Sequence, residues 1–233
     1  KDVFLTELEQ KRQELQDKNC HLMKLNQEKN EFLGMAAHDL KNPLQAVQGA
    51  AELIEKAFDD FAKEEIIEFA CMIGLSSQRM FRLINDLLDV NAIESGNLKV
   101  SLKCVNVLPI LQGIIRDYKE RAQMKEIILH FTPVADEYCA WIDENTVCQV
   151  LDNLISNAVK YSPPGRPVFV RISHTDHAVR CEIQDEGPGL SELDQRKLFG
   201  KFTRLTAQPT GGEHTTGLGL FIVKKLVVAM RGK

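Results

Sequence analysis

The chain has 233 residues, of which 44% are hydrophobic and 27% charged, and its formal net charge is −4. These values are typical of a globular protein of one large or two small domains and exclude a chain that is disordered or collagen-like throughout. The acidic balance and an aromatic content of only 6% argue against nucleic acid as a partner, since that binding depends on basic and aromatic surfaces.

Targeting signals and cysteine spacing point to the compartment. No apolar run reaches the length of a membrane span, and the six cysteines are scattered without paired spacing, which predicts reduced thiols and a cytoplasmic location. The chain begins at Lys1 without a methionine or signal peptide. We therefore expect it to be part of a longer protein. Whether that protein has a membrane anchor elsewhere is left open.

The first 30 residues predict a coiled-coil helix. Leu8, Leu15 and Leu22 recur every seven residues, and Leu25 and Phe32 repeat that interval after a shift of three. The residues between them are mostly polar, so the apolar seam is narrow. Such a seam favours a parallel homodimer, with a single amphipathic helix as the alternative.

Two long helices joined by a short turn are predicted next. The first continues to about residue 57, with a kink at Pro43, which cannot donate a hydrogen bond to Asp39. A turn at Asp59, Asp60 and Phe61 leads to a second helix over about 63–94. Two such antiparallel hairpins would bury their apolar rows in a four-helix bundle. The row on the second helix consists of Ile66, Ile73, Met80 and Leu87.

From about residue 98 the pattern changes to short strands and helices, which is typical of an α+β sandwich. Helices are expected at 107–124, at 144–161 behind the capping residue Asp143, at 191–199 and at 217–230. Strands are expected at 98–102, 127–131, 138–142, 168–173 and 178–184.

A histidine in the first helix has neighbours suited to chemistry. His38 directly precedes Asp39, and Asn42 lies one turn later on the same face. A carboxylate at one ring nitrogen selects the tautomer and makes the other nitrogen a better nucleophile. Taken alone, a helical histidine is more often an ordinary surface or core residue.

Two asparagines four residues apart share one side of the helix at 144–161. Their positions are Asn153 and Asn157, with Lys160 and Tyr161 one turn further on. Amide oxygens are hard ligands that suit Mg²⁺ bridging phosphates, and a lysine offers a cation for phosphate. For this helix alone, two solvated asparagines are the alternative.

A glycine-rich turn follows the strand at 178–184. Gly187 and Gly189 allow a flat ligand to approach the backbone closely, and Asp185 could accept a hydrogen bond from an exocyclic amine such as that of adenine. A simple turn is the alternative for this motif.

A polar segment at 206–216 ends in Thr216, Gly217, Leu218 and Gly219, where an apolar helix begins. Glycines at a helix N-terminus expose amides to an anion, and a loop of this length in a compact domain is often a lid. A surface loop without function is the alternative. We call residues 206–216 the lid segment.

Taken in order, these motifs resemble the catalytic core of sensor histidine kinases of two-component systems. The histidine, the asparagine pair, the Asp-x-Gly-x-Gly turn, the pair Phe199 and Phe202, and Gly-Leu-Gly-Leu follow one another over about residues 30–230. The resemblance implies a dimeric antiparallel helical hairpin that forms a four-helix bundle, with an N-terminal coiled coil. An α/β-sandwich ATP-binding domain of the gyrase–Hsp90–kinase–MutL superfamily would follow it.

The resemblance also implies domains, cofactors and partners. The domains would be a coiled coil at 1–30, a dimerisation and phosphotransfer domain at 31–95, a hinge at 96–103 and an ATP-binding domain at 104–233. ATP and Mg²⁺ would be the cofactors. A second copy of the chain and the receiver domain of a response regulator would be the partners. The reaction would be autophosphorylation of His38, then phosphotransfer to an aspartate of the regulator.

Roles are implied for the residues that match the family's motifs. His38 would accept the phosphoryl group, Asp39 would polarise its ring, and Asn42 would contribute to dephosphorylation of the regulator. Asn157 would be the Mg²⁺ ligand. The nucleotide and its phosphates would contact Asn153, Asn157, Lys160, Tyr161, Asp185, Gly187, Gly189, Arg204, Thr216, Gly217, Leu218 and Gly219.

The sequence departs from the family's pattern in two places. His214 and Thr215 stand where a glycine usually precedes Thr-Gly-Leu-Gly, and the family's last strand pair would lie beyond Lys233. Two alternatives to a kinase remain. One is an ATPase of the same superfamily that uses water, although Asn153 occupies the position of its glutamate base. The other is a catalytically inactive scaffold.

Overall fold

The computed structural model describes residues 2–58, 61–175, 177–203, 205–213 and 215–233, and the side chains of residues 2–9 and 28 are outside the description. Three features of the sequence analysis therefore lie wholly or partly outside the described residues, namely most of the turn at 59–61, the predicted phosphate contact Arg204, and His214. The chain divides into two compact units, Lys1–Ile84 and Asn85–Lys233.

Two long helices dominate the first part of the chain, as predicted. Helix α1 spans Asp2–Ala57 and is continuous through Pro43, and helix α2 spans Lys63–Glu94. Glu65 accepts a hydrogen bond from Ala62 N at 2.8 Å, which satisfies an amide at the start of α2. The negative first turn of α2 also complements the helix dipole.

Each helix has one buried stripe with helical spacing. The stripe on α1 consists of Ala36, Asp39, Pro43 and Ala50. The stripe on α2 consists of Ser76, Leu83 and Val90, which follow one another at intervals of seven residues. The predicted row from Ile66 to Leu87 is only half-buried. In the predicted seam, Leu15 and Leu22 are 67% and 63% exposed. The side chain of Leu8 is not described.

The second unit contains the mixed sandwich that the sequence predicts. Its elements are β1 (Lys103–Asn106), α3 (Val107–Met124), β2 (Leu129–Phe131), β3 (Cys139–Ile142), α4 (Glu144–Tyr161), β4 (Val168–Thr175), β5 (Ala178–Gln184), α5 (Glu192–Lys197) and α6 (Gly219–Ala229).

Two sheets lie in this unit. Strands β1 and β3 form an antiparallel ribbon, while β2 is parallel and β5 antiparallel to the central strand β4. One face of β4 is buried through Val168, Val170 and Ile172. These residues share a core with α3 and α4, including the fully buried Leu111 and Ile155.

One predicted strand is wrong. Residues 98–102 form no strand, and β1 begins at Lys103, where pairing with Ile142 starts. The Ser101 amide donates instead to the Asp143 carboxylate at 2.9 Å. Alternating apolar residues therefore do not make a strand here, because the backbone bonds to a side chain rather than to a neighbouring strand.

Polar caps fix the starts of the two core helices. Asn106 accepts from Leu108 N at 3.1 Å and from Tyr138 N at 3.0 Å, so it begins α3 and ties it to the residue before β3. Asp143 accepts from Thr146 N at 3.0 Å, which confirms the predicted cap of α4. Backbone hydrogen bonds from Thr146 and then Ser101 hold the pKa of Asp143 below its usual value.

Candidate functional site

The histidine pair on α1 combines an exposed ring with a buried carboxylate. His38 Nδ1 lies 3.2 Å from Asp39 Oδ1, and the two side chains are 68% and 3% exposed. A carboxylate at Nδ1 favours the tautomer with its proton on that nitrogen and leaves the Nε2 lone pair for nucleophilic attack. Asn42, one turn further along, is also exposed. A partner protein can therefore reach both His38 and Asn42.

Asn153 on α4 lies against the start of α6. Its amide nitrogen donates to Gln149 O at 3.1 Å. Its amide oxygen lies so close to Gly219 that a Cβ on that glycine would come within 2.7 Å of it. The structure thus brings together two residues that are 66 positions apart in the sequence, and this contact requires a glycine at position 219.

Asn157 is the residue of α4 best suited to hold a cation. It lies one turn beyond Asn153 and is half-buried. Its amide makes no hydrogen bond to any residue that the structure describes. An amide oxygen without a protein partner is a suitable ligand for a hard cation such as Mg²⁺, so the donor chemistry of this position fits the expected metal.

The glycine-rich turn packs on the C-terminal end of α4. Gly187 N donates to Asp185 Oδ1 at 2.8 Å. A Cβ on Gly187 would come within 2.7 Å of that oxygen and 2.9 Å of Tyr161 O. Gly189 has a φ of +72°, a conformation that costs a residue with a side chain additional energy. The turn therefore places the exposed Asp185 next to Tyr161.

The lid segment is attached to the unit at its start and at its end. At its start, Thr206 donates to the buried Asp194 of α5 through both its amide, at 3.2 Å, and its hydroxyl. Near its end, the Thr216 hydroxyl donates to Asp86 Oδ2 at 3.2 Å and accepts from Leu218 N at 3.3 Å. The hydrogen bonds from Thr206 and then Ser191 lower the pKa of Asp194.

The middle of the lid segment lies on the end of α4. Thr210 N donates to Lys160 O at 3.0 Å, and the Thr210 hydroxyl donates to Ser162 O at 2.6 Å. The lid segment therefore reaches Lys160, a predicted phosphate contact, and Ser162, the residue after the predicted nucleotide contact Tyr161. Gly217 follows with a φ of +70°, and a Cβ there would come within 2.8 Å of the Phe202 backbone.

Lys125 is a central residue that the sequence analysis missed. Its ammonium donates to Val159 O at 2.8 Å and Lys160 O at 3.1 Å, the last carbonyls of α4. It also donates to Thr210 Oγ1 and Glu213 Oε1, each at 2.9 Å. One half-buried cation thus joins the end of α4 to the lid segment. The contacts lie far apart in sequence, and no local motif marks this lysine.

Glu213 completes this arrangement. Its second oxygen accepts from Gly211 N at 2.8 Å. Burial alone would raise the pKa of Glu213, but the hydrogen bond from Lys125, together with backbone N–H donors, outweighs it and lowers the pKa. The carboxylate is therefore held in its charged form within the lid segment.

Among the predicted site residues, only Arg204 lies outside the described part of the chain.

Comparison with protein families identifies two matching regions. Residues 28–96 match the family described as His Kinase A (phospho-acceptor) domain. Residues 142–233 match the family described as histidine kinase-, DNA gyrase B-, and HSP90-like ATPase. The first region contains His38, and the second contains the asparagine pair, the glycine-rich turn and the lid segment.

Individual proteins give the same result. Sensor protein EvgS of Escherichia coli strain K12 is 33% identical over 88% of this chain, which covers 17% of EvgS. The full-length structure of ShkA in complex with AMPPNP is 27% identical, with a TM-score of 0.61 over 86% of this chain and 41% of ShkA.

A further solved structure shares the fold at lower identity. Histidine kinase ThkA in complex with the response regulator protein TrrA has a TM-score of 0.60 and 19% identity, over 87% of this chain and 55% of that one. Among the described residues, no helix has both the length and the apolar character that crossing a membrane requires. On the two family matches, the chain belongs to the histidine kinases of two-component systems and comprises their catalytic core, a phospho-acceptor region followed by an ATPase-like region.

Proposed function

We propose that this chain transfers the γ-phosphoryl group of ATP to His38 and then passes it to an aspartate of a response regulator. The observation that carries the proposal is the contact between the exposed His38 ring and the buried Asp39 carboxylate at 3.2 Å. This contact supplies a nucleophile that is oriented and accessible to a donor and to an acceptor. The chain spans 17% of EvgS and 34% of WalK of Bacillus subtilis, so the activity of a whole protein of that kind is part of the same proposal.

Asp39 acts by holding the ring. It accepts a hydrogen bond from Nδ1–H of His38, so the Nε2 lone pair is left free to attack the phosphorus atom. The bond between that atom and the ADP oxygen breaks as the N–P bond forms, and the growing positive charge on the ring is stabilised by the carboxylate. Because Asp39 is buried, its charge is screened little by water.

The nucleotide is assigned to the second unit. Asp185 and the glycine-rich turn would bind the base beside Tyr161, while Lys160 and the lid amides would face the phosphates. Asn153 and Asn157 precede Lys160 on α4, and Asn157 would hold Mg²⁺, which supplies charge neutralisation at the phosphates when bound. The AMPPNP complex of ShkA, a relative with this fold, supports the assignment.

The regulator is assigned to the exposed face of α1 that bears His38 and Asn42. The response regulator complex of ThkA shows that a protein with this fold binds such a partner. In this proposal, Asn42 orients the water that removes the phosphoryl group from the regulator aspartate, which adds a dephosphorylation activity.

A second copy of the chain would cover the apolar faces of the helices. Leu15, Leu22, Leu75 and Leu88 are each at least 60% exposed, and burying apolar surface stabilises a complex by about 25 cal/mol per Å². The proposed division is a coiled coil at 1–30, a dimeric phosphotransfer domain at 31–95, a hinge at 96–103 and an ATP-binding domain at 104–233. A register change of the coiled coil would be the input signal.

The deciding experiment uses γ-labelled ATP with Mg²⁺. We expect label on the protein that is labile in acid and stable in alkali, as for a phosphohistidine, and absent from His38→Gln. The matched control is His21→Gln, since His21 is another exposed histidine of α1. If the chain binds ATP but carries no label at His38, the proposal is wrong, and release of inorganic phosphate would then indicate a water-using ATPase.

A further inference from the structure

Two cysteines meet on the outer face of the ribbon formed by β1 and β3. In the register of this ribbon, Cys104 lies opposite Trp141, and Asn106 lies opposite Cys139. Alternate residues of a strand share a face, so all four side chains lie on one side of the ribbon. Cys104 and Cys139 are therefore diagonal neighbours across the two strands, a placement in which Cα atoms lie roughly 7–8 Å apart and Cβ atoms somewhat closer. A disulfide needs Cα atoms within about 7 Å, so closing one would draw the two strands slightly together.

The face that carries the thiols is open to solvent. Cys104 and Cys139 are both exposed, whereas Ala140 and Ile142, which alternate with them on β3, pack against the core. Small oxidants can therefore reach both sulfur atoms without unfolding of the domain.

The two thiols also interact electrostatically. The pKa of the Cys139 thiol is raised, first by local desolvation and then by the charge of Cys104 and a hydrogen bond with the Cys104 side chain. This interaction agrees with the diagonal placement. The raised pKa keeps the proton on the Cys139 sulfur.

A two-thiol site can bind a soft metal or form a disulfide. Within the described part of the chain, no cluster of three or more His, Cys, Asp or Glu residues could hold a metal ion, and protein metal sites usually need three or four ligands. We propose that Cys104 and Cys139 are a redox-active pair that forms a reversible disulfide by exchange with a low-molecular-weight disulfide such as glutathione disulfide.

The exchange has two balanced steps. The Cys104 thiolate attacks one sulfur of glutathione disulfide, forms a mixed disulfide and releases one glutathione thiolate, which takes up the proton lost by Cys104. Cys139 then loses its proton and attacks the Cys104 sulfur, which releases the second glutathione. Two protein thiols are oxidised by two electrons, and one glutathione disulfide is reduced to two thiols.

The ribbon is placed where such a link would affect the ATP-binding domain. β1 follows the proposed hinge, and β3 leads directly into Asp143, which caps α4 and accepts a hydrogen bond from Ser101. A disulfide would fix the ribbon between the hinge and the helix that bears Asn157. The inference about the disulfide itself does not depend on the proposed kinase activity.

The test uses the chain with Cys20→Ser and Cys71→Ser, because these exposed cysteines of the long helices could crosslink two copies. The protein is equilibrated in glutathione buffers from reducing to oxidising, quenched in acid, alkylated and mapped by mass spectrometry. We expect the peptides with Cys104 and Cys139 to become linked, with the loss of two hydrogen atoms, and the link to be reversed by dithiothreitol. Cys139→Ser should instead retain glutathione on Cys104.

Two internal controls make the outcome decisive. Cys148 is an exposed cysteine of α4 and should acquire glutathione in the buffers that link the pair. Trp141 is the single tryptophan of the chain, is 70% exposed and lies opposite Cys104, so the disulfide should quench its fluorescence. The proposal is overturned if Cys104 and Cys139 each carry glutathione, as Cys148 does, and no linked peptide forms at any buffer ratio.

Discussion

The Lys125 ammonium lies 2.9 Å from Glu213 Oε1, and this ion pair joins the C-terminal end of α3 to the lid segment. The Lys125 side chain is only 15% exposed, so the pair is screened less than an ion pair on the surface. The same ammonium also caps the last carbonyls of α4. The position of the lid segment therefore depends on a residue outside every motif of the family's pattern.

Replacing Lys125 should release the lid segment. Lys125→Met removes the charged donor shared by two carbonyls, one hydroxyl and one carboxylate, and a hydrogen bond to a charged group contributes about 1.5–3 kcal/mol. We expect a lower free energy of unfolding in urea and faster proteolysis within the lid segment. Lys119→Met, on an exposed position of α3, is the matched control. Equal proteolysis of the two variants would contradict the anchoring role.

The anchoring of the lid segment should depend on pH. The pKa of Glu213 is lowered in the folded chain, so its stabilising contribution is fully present above the pKa of an unfolded glutamate. That contribution is lost as the pH falls through the lowered folded value. We expect lid proteolysis to increase in this acidic range.

Glu213→Gln separates the effect of Glu213 from the effects of other carboxylates. This control is needed because Asp143 and Asp194 also have lowered pKa values, so their contributions to stability are lost in acid too. The difference in proteolysis between the original chain and the variant should shrink as the pH falls. A difference that does not change with pH would show that the charge of Glu213 is unimportant.

The catalytic role proposed for Asp39 can be distinguished from an effect on ATP binding. Asp39→Asn keeps the size of the side chain but removes the charge that orients His38, and proton-transfer and charge effects of this kind contribute about 100-fold or more to rates. We expect the initial rate of phosphorylation at saturating ATP to fall by about that factor, while the Kd for ATP stays the same. An unchanged rate would show that the 3.2 Å contact has no catalytic role.

Gly219 should not tolerate a side chain. A Cβ there would come within 2.7 Å of Asn153 Oδ1, so Gly219→Ala must displace either the Asn153 side chain or the start of α6. We expect at least a tenfold weaker Kd for Mg·ATP, measured by calorimetry.

Gly113→Ala is the matched control for Gly219→Ala. A Cβ at this helical position of α3 meets nothing within 4 Å, and alanine in a helix is favoured over glycine by about 0.5–1 kcal/mol. The control should bind Mg·ATP normally and unfold at a higher temperature. If both variants bind Mg·ATP equally well, the contact between Gly219 and Asn153 does not position the nucleotide site.

The sequence by itself determined most of the helices and the order of the motifs. Helix periodicity, the Asp143 cap and the proline after Ser162 act within a few residues, so α3 and α4 lie at the predicted positions. The pairing of His38 with Asp39 is equally local. These features depend on neighbours along the chain, and the chain alone specifies them.

The tertiary structure alone decided the start of β1 and the contacts around the lid segment. β1 begins at Lys103 because β3 pairs with it there, whereas alternation predicted a strand at 98–102. Lys125 meets Glu213 across 88 positions, and Cys104 meets Cys139 only through strand register. Such contacts depend on how distant segments pack, and a local pattern carries no information about packing between segments.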